Sequence, residues 1–305
     1  MSNLVLTSQL ISKFWSVSSI RFVRWNSSSK SRWLGRQRSD SFTREAKVLG
    51  LRSRAAFKLQ QIDDKVKLFR KNANQRVLDL GYAPGAWSQV ALERTGSDGI
   101  ILGVDILPCS PPRGVHSIQA NILAKKTHEL IRLFFSKHFQ LYREDQLHKD
   151  HGYFQHMLEE ELAFVNEQSA INSDRPCVEG TPIDVIISDM YEPWPQTEGF
   201  WNNFTNSAYD RMANTTGIAI KDHFMSMDLC DAALVAAIDL LKPGGSFVCK
   251  LYTGEEDKLL EERLKRVFRD VQRFKPSASR NESKELYFIG LGKKKDVNKL
   301  DVFLN

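Results

Sequence analysis

The run Val77-Leu-Asp-Leu-Gly-Tyr-Ala-Pro-Gly-Ala-Trp87 holds the most chemically informative spacing in the chain. An apolar stretch leads through Gly81 and Gly85 into helix-forming residues, the form of a strand, a tight loop and a helix N-terminus. Glycine there lets backbone approach a ligand, and the first helical turn offers free N–H groups. A dinucleotide site would space its glycines as G-x-G-x-x-G around a pyrophosphate. Here the spacing is G-x-x-x-G with Pro84 inside the loop, which suits a methionine carboxylate and a ribose better than two phosphates. Asp105 ends the next strand-like run, where an acid can accept both ribose hydroxyls. Asp79 and Asp105 each also read as plain turn caps; together with the glycines they read as a cofactor cradle.

Other candidate groups stand at the ends of buried runs. Ile183-Asp-Val-Ile-Ile-Ser reads as an interior strand leading to Asp189, and Ser246-Phe-Val-Cys-Lys-Leu-Tyr as one carrying Lys250. Taken singly, a strand-end lysine is an ordinary solvated group, and Glu285 in Ser-Lys-Glu an ordinary exposed carboxylate.

The elements that must position these groups alternate. Strands are expected at 76–80, 100–105 and near 117–119, with a helix after Pro84. A helix is expected over 54–63, because Ala55, Ala56, Leu59 and Ile62 recur at helical spacing. Another spans 225–241, stopped by Lys242-Pro-Gly-Gly, and a third 255–268. Two strands close the chain, near 271–274 and 286–291. Such alternation implies a parallel sheet covered on both faces. Between 124 and 182 the pattern loosens, as expected of an insertion.

The chain has 305 residues and carries a net charge of +6, compatible with a polyanionic partner or simply with a solvated basic face. Four scattered cysteines form no C-x-x-C pair, so neither a zinc ribbon nor a disulfide framework is indicated, and no metal is expected. No apolar run nears the roughly 20 residues a membrane span needs. From Met1 to Ser39 there is no acid, while Lys13, Arg21, Arg24, Lys30 and Arg32 alternate with serines and apolar residues. That composition fits a mitochondrial presequence over 1–25, the alternative being a basic arm that holds RNA.

Five runs stand together in order: Ser53-Arg-Ala-Ala-Phe-Lys-Leu, Asp79-Leu-Gly-Tyr-Ala-Pro-Gly-Ala-Trp-Ser-Gln, Ser188-Asp-Met, Lys242-Pro-Gly-Gly-Ser-Phe-Val-Cys-Lys and Ser283-Lys-Glu-Leu-Tyr. In them, from about Arg32 to Lys294, the chain resembles the FtsJ family, also called RrmJ-like, of 2′-O-ribose RNA methyltransferases. The resemblance implies a Rossmann-like α/β fold with a mostly parallel seven-stranded sheet, helices on both faces and an antiparallel last strand. It places the methyltransferase domain at 26–295 and a tail at 296–305. It implies S-adenosyl-L-methionine as cofactor, held by Asp79, Gly81, Ala83, Pro84, Gly85, Ala86, Trp87, Asp105, Asn121 and Asp189. A catalytic Lys-Asp-Lys-Glu tetrad would fall on Lys58, Asp189, Lys250 and Glu285.

A ribose hydroxyl is a poor nucleophile at neutral pH. Lys250 is therefore expected as base, its pKa lowered by partial burial beside Lys58, or else as a group that steers the oxygen while the proton leaves to water. Asp189 would orient it, and Glu285 would hold Lys58 or the ribose. Arg36, Arg38, Arg52 and Arg54 would meet RNA phosphates, with Trp33, Phe42 and Trp87 as nearby aromatics. With the presequence, the resemblance points to mitochondrial large-subunit ribosomal RNA, a uridine in it, and the matrix; the alternatives are another RNA, or an assembly factor of the same fold with a non-catalytic role. Three departures bear on the site: Tyr82 replaces a small residue and would narrow the methionine pocket, Asn121 replaces an aspartate, and Tyr191-Glu-Pro-Trp-Pro replaces the usual substrate loop.

Overall fold

The computed structural model of the chain describes residues 39–135, 183–191, 215–216 and 218–304. Packing divides the chain into Met1–Ser41 and Phe42–Asn305, and the sheet belongs to the second. In chain order the elements are α1 (Ser41–Val48), α2 (Ala55–Val66), β1 (Arg76–Leu80), α3 (Ala86–Thr95), β2 (Ile100–Asp105), β3 (His116–Gln119), α4 (Lys125–Phe135), β4 (Ile183–Ser188), α5 (Ala219–Leu240), β5 (Leu241–Tyr252), α6 (Asp257–Val267), β6 (Phe268–Phe274), β7 (Glu285–Lys293) and α7 (Lys299–Phe303). The seven strands lie in the order β3-β2-β1-β4-β5-β7-β6. All pairs are parallel except those of β7, which runs antiparallel to both β5 and β6. The expected fold class is what is found.

The apolar runs of β1, β2 and β4 are interior because helices cover both faces. On one face α2 and α3 pack Leu59, Ile62, Trp87 and Val90 against Val77, Ile101, Val248, Tyr287 and Ile289. On the other, α4, α5 and α6 pack Ile131, Phe135, Leu234 and Leu264 against Leu78, Leu102, Phe247 and Phe288. The expected face of α2 holds: Ala56, Leu59 and Ile62 are fully buried, with Ala55 at the margin.

Three boundaries differ from expectation. Helix α5 begins at Ala219, earlier than the periodicity alone indicated. It ends at Leu240, where the buried Lys293 amine donates to the Ile238 and Leu241 carbonyls at 2.6 Å each, satisfying acceptors that a helix end leaves open. Lys242-Pro-Gly-Gly then bulges out of β5, since Ile183 pairs with Leu241 but Val185 with Ser246. Within the range read as an insertion, Lys125–Phe135 is a crossover helix that buries Ile131 and Phe135; residues 136–182 lie outside the described residues, as does the presequence. The expected tail folds as α7, with Val302 buried and Asn298 Oδ1 accepting the Leu300 N–H at 3.1 Å.

Candidate active site

The strand pleat assembles the site. In the antiparallel β5/β7 pair, Lys250 faces Tyr287 and Tyr252 faces Glu285. Residues directly opposite share a face, as do residues two apart along a strand. All four side chains therefore point to the face that α2 covers, and α2 contributes Lys58. Asp189 follows the last residue of β4, one position beyond the Ser188–Cys249 pair, and so comes level with Lys250. Glu285, expected just ahead of the last strand, is its first residue.

The four tetrad residues are joined as two ion pairs. Lys250 Nζ lies 2.9 Å from Asp189 Oδ1 and donates to the Asp189 carbonyl at 2.7 Å. Lys58 Nζ lies 2.7 Å from Glu285. Between the pairs stands Tyr287, which sequence reasoning did not include. Its fully buried hydroxyl is 3.0 Å from Glu285 Oε1 and 3.3 Å from Asp189 Oδ1. Ser279 Oγ also donates to Glu285, at 2.9 Å. The i, i+2 spacing of Glu285 and Tyr287 was a usable signal for Tyr287; Ser279 had none, because it arrives from the β6–β7 connection.

Electrostatics here differ from the expectation for Lys250. Burial pulls its amine pKa down, but Asp189, then Tyr252 and Glu285, outweigh that and raise it. The expected lowering is not found, because Asp189 dominates the amine's surroundings, while Lys58 is paired with Glu285. Glu285 goes the other way: burial opposes its charge, yet Lys58 and Lys250 hold its carboxyl down at about 2. Lys250 is thus an ammonium with three N–H donors, two of them directed to Asp189, which leaves one for a substrate oxygen.

The cradle lies at the carboxyl ends of β1 and β2. Gly81 (φ 72°) and Gly85 (φ 102°) take left-handed conformations that only glycine adopts readily. A Cβ on Gly81 would stand 2.7 Å from Met190, and one on Gly85 2.7 Å from Pro112. The protein itself therefore needs both glycines, whatever ligand approaches. Asp105 accepts from the Ala83 N–H at 3.0 Å and the Leu107 N–H at 2.9 Å, so it does brace the loop as a cap. Asn121 Oδ1 accepts from the Leu123 N–H. Trp87 is core: it is buried, donates to the Ala55 carbonyl at 2.9 Å and packs on Tyr287. Tyr82 lies over Gly103 of β2, where any Cβ would strike its ring, and its hydroxyl donates to the Cys109 carbonyl.

Asp79 is the group that still asks for a partner. It is fully buried; Oδ2 accepts from Ser88 Oγ at 2.6 Å, while Oδ1 has no hydrogen-bond partner. Burial first, then the carboxylates of Asp189 and Asp105, push its pKa up to about 8. A cationic ligand amine would complete this acceptor, and acids at the ends of β1, β2 and β4 suit a ligand with an amino group, a sulfonium and ribose hydroxyls. The donor set fits S-adenosylmethionine. Because the folded pKa lies above the ordinary 3.8, the fold favours the protonated acid, and its contribution to stability is lost as pH rises from about 4 through about 8. Asp79→Asn should therefore raise the melting temperature at pH 8 relative to wild type and leave it nearly unchanged at pH 4. Melting curves across pH check this; curves that stay parallel would refute the assignment.

The basic residues expected to meet RNA are engaged internally where they are described. Arg52 donates to the Pro84 carbonyl at 2.8 Å, to Pro111 at 3.0 Å and to Ser110, clasping the cradle loop against the segment after β2. Arg54 donates to the Ala278 carbonyl and lies over the Phe42 ring. Arg36, Arg38 and Trp33 lie outside the described residues. Arg52 is exposed and water competes for its bonds, so together they are worth on the order of 1–2 kcal/mol. Arg52→Ala is accordingly expected to weaken S-adenosylmethionine binding about 10-fold, seen by calorimetry. Undiminished affinity together with a shallower salt dependence of RNA binding would instead make Arg52 a phosphate contact.

Among the described residues no group of three or more His, Cys, Asp or Glu could hold a metal ion, and no helix is long and apolar enough to cross a membrane. A model of the FtsJ-like methyltransferase family matches residues 51–293. Over 299 residues the chain is 65% identical to the mitochondrial rRNA methyltransferase 2 of Saccharomyces cerevisiae, with 93% of each chain covered. It is 34% identical over 262 residues to the protein of that name in Schizosaccharomyces pombe, covering 86% of this chain and 95% of the other. It is 33% identical over 273 residues to ribosomal RNA large subunit methyltransferase E of Granulibacter bethesdensis, covering 90% and 89%.

Proposed function

Since the chain belongs to the FtsJ-like methyltransferase family, we propose that it methylates a ribose 2′-hydroxyl, that of a uridine, in mitochondrial large-subunit ribosomal RNA, with S-adenosyl-L-methionine as donor. The observation that carries this reading is the pair of ion pairs, Lys250–Asp189 and Lys58–Glu285, bridged by Tyr287 beside the glycine loop. The relatives' names support ribosomal RNA and the mitochondrion. The acid-free N-terminal segment supports import into the matrix.

When bound, S-adenosylmethionine supplies a sulfonium-activated methyl group for in-line transfer. Asp79 would hold its amino group, the 81–87 loop its methionine portion, Asp105 its ribose, and Asn121 its adenine. The chain's own work is orientation. Lys250 presents its remaining N–H to the 2′-oxygen and thereby aims a lone pair at the incoming carbon. Asp189 keeps that amine in place through two contacts. Glu285 and Tyr287 tie Lys58 into the same frame, so that a cation also faces the ribose from α2. The hydroxyl proton leaves to water as the new C–O bond forms.

The phosphate backbone would be met by the basic N-terminal stretch. Arg36 and Arg38 are the candidates there, and Arg52 and Arg54 only where they can leave their carbonyl partners.

The test is methyl transfer from labelled S-adenosylmethionine to large-subunit ribosomal RNA from mitochondria lacking the enzyme, followed by alkaline hydrolysis. A 2′-O-methyl group removes the nucleophile that cleaves the neighbouring phosphodiester, so the labelled step should resist cleavage. Label recovered on a base, or a fully cleavable chain, would overturn the proposal.

A further inference from the structure

Two residues past Asp189 stands Tyr191, whose ring is held in one place beside the Lys250 amine. Its hydroxyl donates to Asp222 Oδ1 at 2.8 Å, and the same buried carboxylate accepts the Thr216 N–H at 2.7 Å. Burial, and next Asp222, raise the phenol's pKa, so it remains a donor. Tyr252 meets the ring edge-on, with centroids 5.3 Å apart at 70°. Tyr252 is pinned in turn: its N–H donates to Ser226 Oγ at 3.0 Å, and its carbonyl lies 2.7 Å from His223 Nδ1. His223 Nε2 accepts the Glu256 N–H at 3.2 Å, which assigns the ring proton to Nδ1.

The start of α5 thus braces an aromatic corner beside the Lys250–Asp189 pair, through contacts separate from those that hold the pair. Lys250 Nζ lies 5.8 Å from the centroid of the half-buried Tyr191 ring. A ribose whose 2′-oxygen is within hydrogen-bond reach of that amine carries its base on the adjacent ring carbon, a few ångströms away. Unpaired bases are characteristically stacked on aromatic side chains. We propose that Tyr191, braced by Asp222 and Tyr252, is the platform on which the target nucleobase stacks, making it a specificity-determining residue of the transfer; this rests on the function proposed above.

The experiment compares wild type, Tyr191→Ala and Tyr191→Trp on large-subunit ribosomal RNA from mitochondria lacking the enzyme. A second substrate is an oligonucleotide whose mapped target nucleotide keeps its ribose and 2′-hydroxyl but has no base. On the native RNA, Tyr191→Ala should raise KM about 10-fold, the scale of one lost base–aromatic stack. Its affinity for S-adenosylmethionine should be unchanged, which also reports intact folding, and Tyr191→Trp should restore KM. On the abasic oligonucleotide, wild type and Tyr191→Ala should have the same KM. A deficit confined to kcat, or one that persists on the abasic substrate, would mean that the ring acts through Lys250 and would overturn the inference. Wild type that leaves the native RNA unmethylated overturns the proposed function itself, and this inference with it.

Discussion

Lys250→Met should slow methyl transfer about 10³-fold, the upper end of what removing one preorganised hydrogen-bond donor at a reacting group costs, while S-adenosylmethionine affinity stays within a few-fold of wild type. The size follows from what the amine does. It is buried and directs two of its three N–H groups to Asp189, and the third is the one the proposed mechanism gives to the 2′-oxygen. Methionine fills a similar volume but can neither donate nor carry charge. Arginine should not rescue, because its planar fork cannot reproduce the contacts of a compact ammonium. The pH dependence separates the two roles open to this residue. Burial lowers the amine's pKa, but Asp189, Tyr252 and Glu285 raise it further, so the ammonium persists throughout the neutral range. A wild-type single-turnover rate that is flat from pH 7 to 9 is then expected. A rate climbing about tenfold per pH unit would make the neutral amine the base and sink the orienting role.

The second large effect lies in the Lys58–Glu285 pair. Glu285→Gln should destabilise the protein by about 3 kcal/mol, since removing one partner of a buried pair strands the other charge, and should lower the transfer rate about 100-fold. Replacing both, as Lys58→Met with Glu285→Leu, should recover most of the stability and none of the activity. That split distinguishes a pair kept for chemistry from one kept for folding; full recovery of the rate would remove both residues from the site. The pair also has a pH signature. Glu285's folded pKa, about 2, lies below its ordinary 4.5, so its stabilising contribution is complete above about 4.5 and is lost as pH falls toward 2. Acid unfolding of Glu285→Gln should lack that part of the curve.

The alternation of apolar runs with amphipathic stretches was enough to read a parallel sheet with helices on both faces, because burial on two faces forces apolar runs and burial on one forces a helical stripe. Residue identity carried the tetrad, through five short runs in a familiar order. Neither source held the register. That Lys250 faces Tyr287 and Tyr252 faces Glu285 depends on how β7 aligns with β5, a pairing made across more than one intervening element. With that register unknown, Tyr287 could not be placed between the two carboxylates, nor Ser279 beside Glu285.

Charge was the least legible property, for a related reason. The sequence offers Lys58 as the cation that would depress Lys250, but a pKa answers to distance: Asp189 lies 2.9 Å from the Lys250 amine and raises it, while Lys58 pairs with Glu285. Likewise Arg52 and Arg54 read as free cations in the sequence, whereas in the fold they clasp loops, and Trp87 reads equally as core or as cofactor-adjacent until packing buries its ring. From the chain alone came the architecture, which follows from periodicity, and the candidate chemical groups, which follow from the resemblance of five short runs to a known family; both kinds of signal are local in sequence. Tertiary packing alone decided which charges pair, which donor is left over and which aromatic faces the amine, because interactions that fade within a few ångströms are set by neighbours far away along the polypeptide.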